Sequence, residues 1–142
     1  MEPTTFHIQV QYNASVEEVW DALTNKEKMK VWYFDMKNFK PEPDFVFEFY
    51  EPGGTKFLHR CKILEVIPRQ KLRHTWTHPH FSKGVTVVTW SLSSSAQNQT
   101  EVALTHENIE SLADGGSDFA KENYAEGWNH ILTKSLKTFL EK

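Results

Sequence analysis

A single cysteine, Cys61, stands in the 142-residue chain, which excludes an intrachain disulfide framework. No apolar run approaches the length of a bilayer span, and Met1 to Phe6 contain no apolar signal core. The 16 Lys and Arg against 19 Asp and Glu are scattered rather than gathered in a stripe. That distribution, with a net charge of −3, offers no track for a phosphate backbone and excludes nucleic acid as a partner. The expectation is cytoplasmic residence without membrane insertion, the sequons at Asn13 and Asn98 being chance matches. Internal repeats, low-complexity stretches, a nucleophile elbow, a Gly-rich phosphate loop and a paired-carboxylate signature are all missing. No catalytic residue is therefore assigned and no cofactor is expected.

Aromatic residues are abundant instead: 13% of the chain, with ten Phe and five Trp, enough to fill one sizeable core. Length and even composition predict a single domain over residues 1–142. Phe6, Ile8, Val10 and Tyr12 recur at period two and predict a strand. Ser15 with Glu18 forms a capping-box signal, and Val16, Val19, Trp20 and Leu23 follow at helical spacing. A second short helix is predicted from about Lys26 to Trp32, broken by Pro41 and Pro43. Period two then returns in Phe45, Phe47 and Phe49, a turn at Pro52, Gly53 and Gly54, and the series Phe57, His59, Cys61, Ile63. Leu72, His74, Trp76, His78 and then Val88, Trp90, Leu92 continue it, and Val102, Leu104, His106 close the sheet on the same face. From about Ser117 to Leu140 the stripe Trp128, Ile131, Leu132, Leu136, Phe139 marks one long helix that covers that face.

The pieces SVEEVWDALTN, KVWYF, ILEVIPRQKLRHTW, VVTWSL, TEVALTHE and EGWNHILTKSLKTFLEK, in this order and spacing, resemble the START-like or SRPBCC superfamily. The nearest branch is the one named for similarity to the heat-shock protein 90 ATPase activator. The resemblance runs nearly end to end and implies an α+β helix-grip fold: a curved antiparallel sheet of about six strands wrapped around a long C-terminal helix, with two short helices after the first strand. It also implies an internal cavity. Pro43 and Asp44 stand where the family often has paired glycines, and Gln99 where a turn glycine is common, which bears on local hairpin geometry.

The candidate ligand-cavity residues are Trp32, Phe47, Phe57, His59, Cys61, Trp76, His78, Trp90, His106, Trp128 and Leu132, on inner faces or at the family's cavity positions. The expected partner is a small hydrophobic or amphipathic molecule, bound without being transformed and oriented by His59, His78 or His106. One alternative, by resemblance, is an interaction module acting on a heat-shock protein 90 homologue. The other is a cyclase-like or hydrolytic enzyme using His59, His106 or Glu107 as a proton carrier. His74 and His78 share a strand face, with an expected backbone separation of about 7 Å, and His80 lies nearby. No acidic or cysteine partner has a ligand spacing, so no metal site is assigned. Cys61 is read as a small core residue, and Gly127 as a point of close helix packing.

Overall fold

The computed structural model describes residues 5–36, 38–50, 56–116 and 121–141. Six strands form one antiparallel sheet in the order β1-β6-β5-β4-β3-β2. They are β1 Thr5–Tyr12, β2 Val46–Phe49, β3 His59–Ile67, β4 Lys71–Trp76, β5 Thr86–Ala96 and β6 Gln99–Glu107. Helices α1 (Val16–Thr24) and α2 (Lys26–Trp32) follow β1, and the C-terminal helix crosses the concave face of the curved sheet. The α+β architecture expected from the sequence is present. The Pro52–Gly54 turn and the start of the long helix at Ser117 lie outside the described residues.

Alternation places one set of side chains under the helix. Phe47 and Phe49 are buried while Val46 is exposed and Glu48 half-buried; Leu72, His74 and Trp76 are buried between half-buried Lys71, Arg73 and Thr75. Register shifts at Ile63/Glu65 in β3 and Ser94/Ala96 in β5 are bulges, which bend the strands and help curl the sheet. Asp44, at one of the positions where paired glycines are common, adopts left-handed backbone with φ 72°, and in the β5–β6 hairpin it is Asn98, next to Gln99, that does so with φ 57°. Both types tolerate that region because a short polar side chain bonds locally, so the hairpins survive the loss of glycine. The glycine that close packing requires is Gly84, where a Cβ would stand 2.1 Å from the Ser111 carbonyl oxygen. At Gly127 a Cβ would meet nothing within 4 Å. The expected close approach there does not occur, because that position faces outward.

The C-terminal helix is not α-helical throughout. It comprises α3 (Lys121–His130), a π-helical turn at Ile131–Ser135 and α4 (Leu136–Leu140). Within the turn the Leu136 N–H bonds the Ile131 carbonyl, five residues back. Trp128, Leu132 and Leu136, spaced by four, are all buried. In a continuous α-helix a four-residue repeat drifts about 40° per step; one wider turn removes much of that drift and keeps all three on the sheet. The turn is held from outside by the Tyr12 hydroxyl, which donates to the Leu132 carbonyl at 2.6 Å, and by Ser135 Oγ, which donates to the Trp32 carbonyl.

Helix α1 starts with the capping box read from the sequence. Ser15 Oγ accepts from the Glu18 N–H at 3.2 Å, and Glu18 Oε1 accepts from the Ser15 N–H at 3.2 Å. Asn25 closes α1 and caps α2 through its side-chain oxygen, which takes the Glu27 and Lys28 N–H groups. The replacement Ser15→Ala is expected to lower the stability of the fold by about 1 kcal/mol, read as a shift of the urea midpoint at constant slope. An unchanged midpoint would show that the cap contributes nothing.

Candidate functional site

Three strands of the concave face each contribute a buried imidazole: His59 from β3, His74 from β4 and His106 from β6, with His78 buried just beyond β4. They stand among Trp76, Trp90, Trp128, Phe49 and Tyr124 in one continuous set of ring contacts. Helix α3 supplies Tyr124 and Trp128, one turn apart on the face that meets the sheet. At the end of α2, Trp32 donates its indole N–H to the Ala22 carbonyl at 2.9 Å. That bond fixes the chain so that Tyr33 stacks on Trp32 with 4.8 Å between centroids and meets Trp128 at 6.3 Å.

The hydrogen bonds fix the proton on His106. The Trp128 indole N–H, a donor and nothing else, points at His106 Nδ1 from 3.0 Å. Nδ1 therefore carries the lone pair and Nε2 the proton, which goes to Thr86 Oγ1 at 2.8 Å. Thr86 in turn donates to the Trp76 carbonyl at 2.7 Å. A second proton on His106 would face the indole N–H. On His78, Trp76 Nε1 donates to Nε2 at 3.3 Å and the Tyr124 hydroxyl lies 2.7 Å from the same nitrogen, so this ring too is held neutral. His74 gives its Nδ1 proton to the Thr75 carbonyl at 2.8 Å, and His59 Nδ1 lies 3.3 Å from the Phe49 carbonyl.

Burial reinforces the neutral state. It lowers the His74 pKa to about 4 against the opposing bond to Thr75. Burial, then the nearness of His59, lowers His78 to about 4, with a bond to the Leu58 backbone opposing. His106 falls to about 3 through burial first and then the neighbouring His74 and His78. The phenols of Tyr33 and Tyr124 and the thiol of Cys61 are all raised, chiefly by burial. Every one of these groups is uncharged at neutral pH.

A narrow cavity of about 10 Å³, room for roughly one water molecule, lies between the sheet and α2. Its lining includes Leu23, Met29, Trp32, Tyr33, Met36, Phe39, Phe47, Leu72, His74 and Trp90. Of the residues named from the sequence, Trp32, Phe47 and Trp90 line it. His59, Trp76, His78, His106 and Trp128 form the adjoining polar-aromatic cluster, and Cys61 and Leu132 are sealed in the core. Phe57 is not brought to this cluster: it precedes β3 and packs on Phe81 at 5.3 Å. Glu107 is exposed at the end of β6, away from the concave face.

His74 and His78 do not approach as expected, since four residues of strand span about 13 Å rather than 7. Trp76 intervenes, and it is His59 that meets His78, at 4.6 Å between centroids. Among the described residues no group of three or more His, Cys, Asp or Glu could hold a metal ion. Tyr33, Phe34, Tyr124 and Thr86 escaped sequence reading. Tyr33 and Phe34 had a signal in the aromatic triplet that ends α2; Thr86 and Tyr124 are visible only through their partners.

A curved antiparallel sheet gripping a C-terminal helix, with a closed aromatic interior and a small cavity beneath the helices, defines a helix-grip domain. The family described as Activator of Hsp90 ATPase homolog 1-like protein matches residues 13–141, and the chain belongs to it. Solved structures agree with the fold. A Mesorhizobium loti protein is 22% identical, with 97% of each chain covered and a TM-score of 0.78. A Chromobacterium violaceum protein is 19% identical, with 99% of each covered and a TM-score of 0.80. The Aha1 dimer from Colwellia psychrerythraea is 23% identical, covering 97% of this chain and 96% of that one, with a TM-score of 0.75. No curated protein matches. Among the described residues no helix is long and apolar enough to cross a membrane.

The neutral histidines make stability pH-dependent. In the unfolded chain each titrates near 6.5, so below that pH the unfolded state takes up protons that the folded state refuses. Stability is full above pH 6.5 and declines toward pH 4 for His74 and His78 and toward pH 3 for His106. Each contributes at most about 1.4 kcal/mol per pH unit, so the three together remove up to about 6 kcal/mol between pH 6.5 and 5. That is comparable to the whole stability of many domains. Urea midpoints should fall steeply from pH 7 to pH 5; a flat profile would show that these imidazoles are not buried neutral.

Proposed function

We propose that the interior binds a small hydrophobic or amphipathic molecule without transforming it. The observation that carries this reading is the unfilled apolar cavity and its roof. Tyr33 and Phe34, both half-buried, lie in a stretch after α2 that has neither helical nor strand structure. The Phe34 ring on this segment can swing outward at modest cost in backbone hydrogen bonds, and a ligand ring then takes its place against Tyr33 and Phe49. A cavity of about 10 Å³ is the closed form of such a site, since pockets for small molecules run to hundreds of Å³. Against the enzyme reading stands the arrangement at His106, whose two nitrogens are both committed to protein partners, leaving none to pass a proton to a substrate.

A second reading, an interaction module for a heat-shock protein 90 homologue, draws support from the family description. An open groove of about 380 Å³ between β1 and α3, lined by Phe6, His7, Ile8, Ala125, Glu126 and Asn129, offers a surface for it.

Naphthalene, an uncharged apolar probe, is expected to change tryptophan emission saturably and to raise the melting temperature in the same titration. At a hundredfold excess over Kd the gain is about 2.7 kcal/mol, or roughly 9 degrees for a chain of this size. Native mass spectrometry of the freshly purified protein should show an adduct of a small molecule. The absence of both a saturable signal and an adduct would overturn the ligand-binding reading and leave the groove as the surface to test.

A further inference from the structure

On the reading of the interior as a ligand site, we infer that its ligand is an uncharged aromatic molecule bearing an oxygen that hydrogen-bonds the Tyr33 hydroxyl. Tyr33 lines the cavity, and its hydroxyl is wholly enclosed with no hydrogen-bond partner. A buried hydroxyl left unmatched is costly, and native interiors pair such groups almost without exception. Four other enclosed polar side chains are matched: Trp32 by Ala22, Trp128 by His106, Thr86 by Trp76 and Tyr12 by Leu132. Tyr33 therefore marks where a polar atom from outside the chain fits.

The rest of the ligand follows from the surroundings. Tyr33 is ringed by Trp32, Phe34, Phe49, Trp90 and Trp128, with centroids between 4.5 and 6.3 Å, and flat rings pack best in such a box. Among the described residues that line the cavity none is Asp, Glu, Lys or Arg. Among the described residues the ion pairs lie on the surface, between Lys28 and Asp21, Arg60 and Glu48, Lys62 and Asp44, Lys71 and Glu65, and Lys137 and Glu141. His106 cannot become a counter-ion while the Trp128 indole points at it. A carboxylate drawn into this interior would lose its water and find no cation among the described residues, an environment that disfavours fatty acids and aromatic acids and admits a phenol or a ketone.

Three probes of one shape test this on the intact chain at pH 8, where 2-naphthol is uncharged and 2-naphthoate is an anion. Naphthol is expected to bind about tenfold more tightly than naphthalene, and naphthoate at least a hundredfold more weakly than naphthol. The Tyr33→Phe variant should bind naphthol and naphthalene equally, and its melting temperature without ligand should exceed that of the wild type, because the unmatched hydroxyl is gone. Equal binding of naphthol and naphthalene by the wild type would mean that water satisfies Tyr33, and would overturn the inference. So would naphthoate binding as tightly as naphthol. If none of the three binds, it is the underlying ligand-site reading that fails. The wild-type comparison stands even if the variant does not fold.

Discussion

One run of hydrogen bonds ties the long helix to the sheet it covers: from the Trp128 indole to His106, from His106 to Thr86, and from Thr86 to the Trp76 carbonyl. Apolar burial alone would hold a helix against a sheet without choosing its rotation or depth. This chain chooses both, because an indole N–H on α3 that missed Nδ1 would be a donor sealed away from water. The π turn at Ile131–Ser135 then follows as the adjustment that lets Leu132 and Leu136 reach the sheet once Trp128 is fixed. The Tyr12 and Ser135 bonds clamp the helix at its far half.

The sequence carried the fold because the fold rests on two periodicities. Phe47, Phe49 and the inner residues of His59–Ile63, β4, Thr86–Leu92 and β6 sit in the buried phase of a two-residue alternation, and the Ser15–Glu18 spacing announced α1. What could not be read were relations between strands. Trp32, Phe47 and Trp90 meet around one cavity although they are far apart in the chain, and Thr86 acquires its role from His106 twenty residues later. Tyr33 could be seen as part of an aromatic triplet, but its enclosed hydroxyl depends on the direction the chain takes after α2. Phe57 was misplaced because alternation was extended two residues before the strand begins, and Gly127 because a glycine in a helix admits either a tight contact or an open face.

A polar interior with no charge in it is an unusual compromise. The imidazoles of His74, His78 and His106 and the phenols of Tyr33 and Tyr124 provide hydrogen-bonding capacity, yet burial keeps each in its neutral form. Such a lining can discriminate by the position of an oxygen atom and by the absence of charge, which an all-aliphatic core cannot do. Membership in the family described as Activator of Hsp90 ATPase homolog 1-like protein sets the scaffold, whereas selectivity of this kind would belong to the particular residues of this chain.

Cys61 closes the account in a different currency, that of time. It is the one thiol in the chain, fully enclosed, with burial raising its pKa well above the usual thiol value. Sealed in this way it resists alkylation, since the reactive species is a solvent-reached thiolate. Each excursion that lets reagent past Tyr33 and the strands exposes it, so the rate at which the thiol is consumed is a clock for how often the interior opens. The molecule thus carries its own kinetic probe of access, at the natural sequence and without a label.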